Sequence, residues 1–408
     1  MTPANLLVDH LFRHEAGRIT AALTRALGAR HLALAEEATQ EALVRALQTW
    51  PFRGIPNEPA AWLHTAARNY ARDQLRRHAN WHTKEPALQQ FLVAQGQGAA
   101  MPPTMDDTLA MMLLCCHPGI APESRVALTL KIVSGFSTRE IAAAFLTAEE
   151  TIAQRIVRAK RLIRDAGLQI EMPEGAELAG RLDSVCEALY LLFNEGYFAS
   201  QGAAALRRDL CDEAVRLQRC VLQSGHATWE RWALAALFHL HLARFDARIG
   251  DEGQLHDFDR IQSAAYDAKH LRLADAALRE AMQSDALSAW HLEAAIAAAH
   301  CDARRDWRHI VTLYDGLLLL KPSPLIRLNR AVAIFRSGRR AEALAELSDL
   351  EKEEDLRGYA LLPATQARLH DEAGNYGDAK LAYRRALACA MSAPAREFIE
   401  RRYAQTYP

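Results

Sequence analysis

Aromatic residues are scarce in this chain, at 7% of its 408 residues. Strand-like alternation is scarce as well, while alanine is abundant. With so little β-branched and aromatic patterning there is little from which to build a sheet, and the expectation is an all-α protein. Charge of one sign is not in surplus either. The formal net charge is −1, so any attraction to nucleic acid must be local, because salt screens it beyond about 10 Å. No apolar run reaches the roughly 18 residues a membrane helix needs, and the N-terminus lacks a basic-then-apolar leader. A soluble, cytoplasmic protein with no membrane partner is expected.

Paired cysteines are missing too. Cys115, Cys116, Cys186, Cys211, Cys220, Cys301 and Cys389 are scattered, odd in number and without a CxxC pair. That argues against a disulfide framework. Zinc would want ligands at fixed spacing. The nearest approaches, Cys115-Cys116-His117 and His239-x-His241, sit in apolar helical context and read as packing residues. There is no phosphate-cradling glycine loop and no nucleophile elbow. No enzyme, metal or cofactor is expected. What the chain does have is length for two or three domains and 50% hydrophobic residues with which to fill their cores.

The most informative stretch runs from Ser137 to Arg164 and predicts two short helices joined by a tight turn. Ser137 with Glu140 three residues on is a capping-box pattern. Ile141, Ala142 and Phe145 follow at helical spacing. The second helix begins at Thr147 or Ala148, with Glu149 and Glu150 in its first turn, where the helix dipole favours them. Ile152, Ile156, Ala159 and Ile163 form one apolar face. Between Ile152 and Arg164 stand five basic residues and no acid. Thr151, Gln154, Arg155 and Arg158 project away from the apolar stripe, which suits a helix set into a major groove. The later basic residues, Lys160, Arg161 and Arg164, suit phosphates. A solvated amphipathic helix in a bundle is the plainer alternative.

Residues 4–80 form a first unit. Periodicity runs from Leu6 to Leu27, where Gly28 stops it, and from Leu32 to Leu47. Trp50 to Pro56 reads as a break, because Pro51 and Pro56 disfavour continued helix. Pro59 then opens a helix to Arg77. Its apolar positions are Leu63, Ala66, Ala67, Tyr70 and Ala71, while His64, Arg68, Arg72 and Arg76 recur along another side. Trp62 and Tyr70 interleave with that basic row, an arrangement that suits unstacked bases beside phosphates. An ordinary charged helix face explains the row equally well. The Leu34–Leu47 helix is acidic on its polar face, at Glu36, Glu37, Gln40 and Glu41. Residues 81–105 lose periodicity and read as a flexible linker, after which 106–168 form a second module containing the paired helices.

This order resembles the extracytoplasmic-function (ECF) group of sigma-70-type RNA polymerase sigma factors. Ala35-Glu36-Glu37 with Gln40-Glu41 match the acidic helix of that family's region 2, and Trp62-Leu63, Ala67-Arg68-Asn69, Asp73 and Arg76 match the helix that follows. Gly135, Ser137, Glu140-Ile141-Ala142, Thr151-Ile152, Arg155-Ile156 and Arg158-Ala159 match region 4. The turn departs from the usual Leu-Gly, with Phe145-Leu146 in its place, and Cys115-Cys116-His117-Pro118 replaces a Leu-Pro. Both departures resemble a subgroup with a long C-terminal helical extension. The resemblance implies that Glu36, Glu37, Gln40 and Glu41 dock on the clamp of the polymerase β′ subunit, and that region 4 also meets the flap of the β subunit. It implies that Trp62, Arg68, Asn69, Arg72 and Arg76 meet −10 promoter DNA, and that Thr151, Gln154, Arg155, Arg158 and Arg161 read the −35 element.

The chain continues to residue 408, and residues 175–408 are expected to be a separate helical domain. Phe193-Asn194-Glu195-Gly196-Tyr197 extends the subgroup resemblance; it reads as a helix-end or packing feature or as a binding element. Gly338 and Gly374 lie 36 residues apart, as do Ala343 and Ala379, and Trp307 and Ile310 lie 33 residues before Arg340 and Ala343. A period near ~34 fits tetratricopeptide (TPR) repeats, whose stacked helix pairs bind a protein, a peptide or another part of the chain. A generic helical bundle is the alternative. The resemblance implies that this extension modulates activity. Two other functions stay open on the sequence alone: a helix-turn-helix regulator with a TPR sensor domain that binds operators without polymerase, and a TPR scaffold with incidental basic helices.

Overall fold

The computed structural model describes residues 3–79, 105–144, 147–170, 173, 175–197, 208–248, 265–389, 391 and 393–407. Among them every regular element is a helix. No helix of the described residues is long and apolar enough to cross a membrane. The chain divides into two compact units, Met1–Leu192 and Phe193–Pro408.

The first unit opens with α1 (Pro3–Leu27), α2 (Leu32–Arg53) and α3 (Pro59–Ala79). Ala35, Ala38, Ala42 and Ala46 recur on one side of α2 and are all buried, so small side chains let its neighbours approach closely. Ile19, Leu23 and Leu27 of α1 and Leu63, Ala67 and Leu75 of α3 complete this core. Two threonines buried between α1 and α2 are satisfied: Thr20 donates to the Thr39 hydroxyl at 3.0 Å, and Thr39 donates to the Ala35 carbonyl at 2.8 Å.

Helix α2 does not stop before Pro51. It runs through it to Arg53 and ends at Gly54, whose φ of 82° lies in the left-handed region and whose N–H returns to the Trp50 carbonyl. A proline there removes one ladder donor. Burial of Trp50 in the core holds the last turn in place regardless.

Next come α4 (Met105–Cys115), α5 (Pro122–Ile132), α6 (Thr138–Ala144) and α7 (Glu149–Asp165). The linker expected over 81–105 lies outside the described residues up to Thr104; Met105 already belongs to α4. The capping box is formed: Ser137 N–H donates to Glu140 Oε2 at 2.9 Å, and Glu140 N–H returns to Ser137 Oγ at 3.1 Å. Ile152, Ile156, Ala159 and Ile163 of α7 are all buried. The Phe145-Leu146 turn lies outside the described residues. Helix α8 (Gly175–Tyr197) begins in this unit, and Arg181 donates to the Leu113 carbonyl of α4 at 3.3 Å.

The second unit carries α9 (Arg208–Gln223), α10 (Trp229–Ala243), α11 (Ala268–Ala281), α12 (Ala289–Cys301), α13 (Trp307–Leu320), α14 (Pro324–Arg336), α15 (Arg340–Leu350), α16 (Leu361–Glu372), α17 (Tyr376–Ala388) and α18 (Ala393–Thr406). From α12 onward the helices come in pairs. The turn inside each pair places Arg305, Gly338 and Gly374 at positive φ (29°, 96° and 83°), 33 and 36 residues apart. Ile310, Ala343 and Ala379 occupy the same position in the second helix of each pair, and all are buried. Arg336 and Glu372, again 36 residues apart, meet in an ion pair of 2.6 Å between successive pairs.

Cys115 and Cys116 are buried, and burial pushes the Cys116 thiol up to about 12. His117 accepts the Gly119 N–H at 3.1 Å. His239 faces His270, with the two Nδ1 atoms 3.0 Å apart, whereas His241 lies against the Tyr197 ring. Among the described residues no three His, Cys, Asp or Glu side chains gather as a metal site would require.

Candidate nucleic-acid interface

Three helices of the first unit carry the residues singled out from sequence. In α7 the buried isoleucines turn Gln154, Arg158, Arg161 and Arg164 to solvent, with Thr151 and Arg155 half-buried at one flank. Arg161 and Arg164 both contact Asp165, at 3.2 and 2.9 Å, and these two guanidiniums hold that carboxyl below its usual range. Such exposed pairs are weak and exchange readily for phosphate. One residue on this face is absent from the sequence-based set: Val157, 65% exposed among the polar groups. Its position off the buried stripe is a periodicity signal, and an apolar group there suits a thymine methyl.

Helix α3 presents a shorter basic row than the sequence predicts. Arg72 is half-buried, and Arg76 and Arg77 are exposed. His64, read as the first member of that row, is buried. Burial lowers its basicity, as does the Arg68 charge, against the opposing pull of Asp107. An enclosed imidazole cannot reach a phosphate, so the basic row begins at Arg68. Arg68 and Asn69 are half-buried. Trp62 is half-buried as well and packs edge-on against Trp50, with ring centroids 5.5 Å apart. Tyr70 leans toward α2, where its hydroxyl donates to Glu37 Oε1 at 2.6 Å.

The acidic face of α2 is only partly open. Gln40 and Glu37 are exposed, and Glu41 pairs with Arg45 at 2.8 Å. Glu36 is half-buried and engaged by Lys160 of α7, which donates to both carboxylate oxygens, at 2.9 and 2.7 Å. Beside this face, Val44, Leu47, Phe52 and Ile55 are exposed, Phe52 to 89%. Exposed apolar side chains at these positions suit contact with another protein. Alanines and larger apolar residues alternate along α2, so composition alone does not tell which set faces the core.

Three segments of the chain match known family models. Residues 11–80 match Sigma-70 region 2, and residues 110–163 match Sigma-70 region 4. Residues 181–282 match a family of unknown function, DUF6596. Over 402 residues the chain is 37% identical to an uncharacterized protein of Rhizobium meliloti (strain 1021), with 93% of each chain covered. No solved structure matches.

Proposed function

Because this chain belongs to the sigma-70 family, we propose that it acts as an ECF-type sigma factor. Sigma-70 factors direct promoter-specific transcription with core RNA polymerase and have no chemistry of their own; catalysis belongs to the polymerase. Region 2 occupies the segment around residues 4–80 and region 4 the segment 106–168. Glu36, Glu37, Gln40 and Glu41 face the clamp, joined by the exposed Val44, Leu47 and Phe52. Trp62, Arg68, Asn69, Arg72 and Arg76 meet −10 DNA, with Trp62 contributing an edge rather than a free ring. Thr151, Gln154, Arg155, Arg158 and Arg161 read the −35 element. The observation that carries this reading is the exposed basic face of α7 above a wholly buried apolar stripe, in the same chain as a region 2 module.

The C-terminal domain is read as TPR-like. The 33- and 36-residue spacing of Arg305, Gly338 and Gly374 in equivalent turns supports that reading for residues 289–388. Binding of a protein or peptide there, with an effect on initiation, is the expected role.

Run-off transcription with purified core polymerase and the full chain tests the proposal. Specific initiation that depends on Arg155 supports it. Sequence-specific DNA binding with no affinity for core would instead identify an operator-binding regulator.

A further inference from the structure

Six exposed apolar side chains of the second unit gather on one edge. From α12 to α17 each helix packs on the next through a short connection, so neighbours run antiparallel and the connections alternate between two edges. The connections between pairs share one edge. Lys321, after α13, reaches Glu293 in the first turn of α12 at 3.3 Å, and Arg327, in the first turn of α14, reaches Glu353 after α15 at 2.8 Å. Met282 and Leu287 lie there between α11 and α12, Leu319, Leu320 and Leu325 around the link from α13 to α14, and Leu361 at the start of α16. All are exposed, Met282 to 77% and Leu319 to 85%. The turns inside pairs, at 302–306, 337–339 and 373–375, hold no leucine, methionine or aromatic residue. Single exposed leucines need no explanation, whereas a row confined to one edge does.

The charges along the row select its occupant. Asp285 is exposed at one end, and Glu354 and Asp355 at the other. Lys321 and Lys352 are held by Glu293 and Asp349, at 3.3 and 3.0 Å, so Arg357 stands against these three acids. A second copy docked about a two-fold axis at Leu319 would set Asp285 over Glu354 and Asp355, acid against acid. An anionic lipid surface meets the same repulsion. We propose that this edge is a docking site for an amphipathic helix of a partner protein, with leucine-type residues on one face and Lys or Arg at its flanks. The row crosses two steps between successive pairs, each roughly 10 Å. That is the length of a helix of about 14 residues. The proposal rests on the reading of the second unit as a protein- or peptide-binding domain and is independent of the sigma reading.

Fluorescence anisotropy with the full chain tests it, using a labelled leucine–lysine peptide of about 14 residues in helical pattern and its leucine–glutamate counterpart. The lysine peptide should bind at least about tenfold more tightly than the glutamate peptide. Leu287→Asn combined with Leu319→Asn should weaken it about tenfold. Glu354→Lys combined with Asp355→Lys should narrow the preference, and carries the test if the leucine variant does not fold. Equal binding of the two peptides, or lysine-peptide binding unchanged in both folded variants, would overturn the proposal. Self-association of the full chain that the leucine variant abolishes would overturn it in favour of a second copy. Binding to phosphatidylcholine–phosphatidylserine vesicles, abolished in the same way, would overturn it in favour of a lipid surface. If binding survives the leucine variant and is lost in Asn329→Trp, on the exposed side of α14, the peptide-binding reading stands and this edge loses its role. If neither peptide binds, both fail.

Discussion

Tyr70 of α3 donates its hydroxyl to Glu37 of α2 at 2.6 Å, so the helix assigned to −10 DNA and the helix assigned to the clamp are tied by a charge-assisted hydrogen bond. The carboxylate also holds the phenol above its ordinary range, the hydrogen bond being the main cause. Tyr70→Phe removes the tie without changing the ring. Affinity for core should fall roughly threefold as Glu37 loses its orientation, while binding to a −35 duplex stays the same. A core titration that matches the wild type would show that Glu37 needs no positioning.

On the proposed reading, Arg155 and Arg164 should separate base reading from phosphate contact in α7. Arg155→Ala should cost about 1–3 kcal/mol of discrimination at one position of the −35 element. Arg164→Ala should weaken binding evenly across sequences and reduce the salt slope by about one. Competition between promoter and scrambled duplexes at several salt concentrations measures both. Unchanged discrimination in Arg155→Ala would remove that residue from the base-reading set.

Glycine has different consequences at two nearby positions in the second unit. Gly338 turns the chain between α14 and α15 at φ 96°, and Gly338→Ala should destabilise by roughly 1–2 kcal/mol because a Cβ is strained in that conformation. Gly377 lies in the first turn of α17 with open space around it, and Gly377→Ala should stabilise by up to about 1 kcal/mol. Urea midpoints of the two variants should move in opposite directions.

The facing imidazoles of α10 and α11 make the second unit acid-sensitive. Burial, with the neighbouring His270, Arg219 and Lys269, pulls His239 down to about 4. His270 is lowered as well, by burial, Arg208 and Lys269 against Asp267 and Asp212, and His241 by burial beside Arg244 and Arg248. A histidine whose folded value lies below its unfolded value of about 6.5 is stabilising above that pH. That stability is lost as pH falls toward 4, on the order of 2–3 kcal/mol for His239. His239→Gln should flatten the decline between about pH 6.5 and 4, as measured by thermal melts. An identical decline would assign the acid sensitivity to other groups.

Local chemistry was enough to determine much of this protein. The Ser137–Glu140 box, the buried stripe of Ile152, Ile156, Ala159 and Ile163, and the helix opened by Pro59 all depend on residues three or four apart, within reach of one helical turn. The equivalent turns at Gly338 and Gly374 were legible as a spacing because a helix pair recurs along the chain at a near-constant period. Tertiary structure alone decided the rest. His64 shares the period of Arg68 and Arg72, yet packing buries it. Pro51 signals a break, yet core packing of Trp50 carries α2 past it. Glu36 and Lys160 meet across 124 residues of chain. Periodicity reports which side of a helix is apolar. It holds no information on what a distant helix brings against the other sides, and in this chain that contact sets Lys160 of α7 on Glu36 of α2.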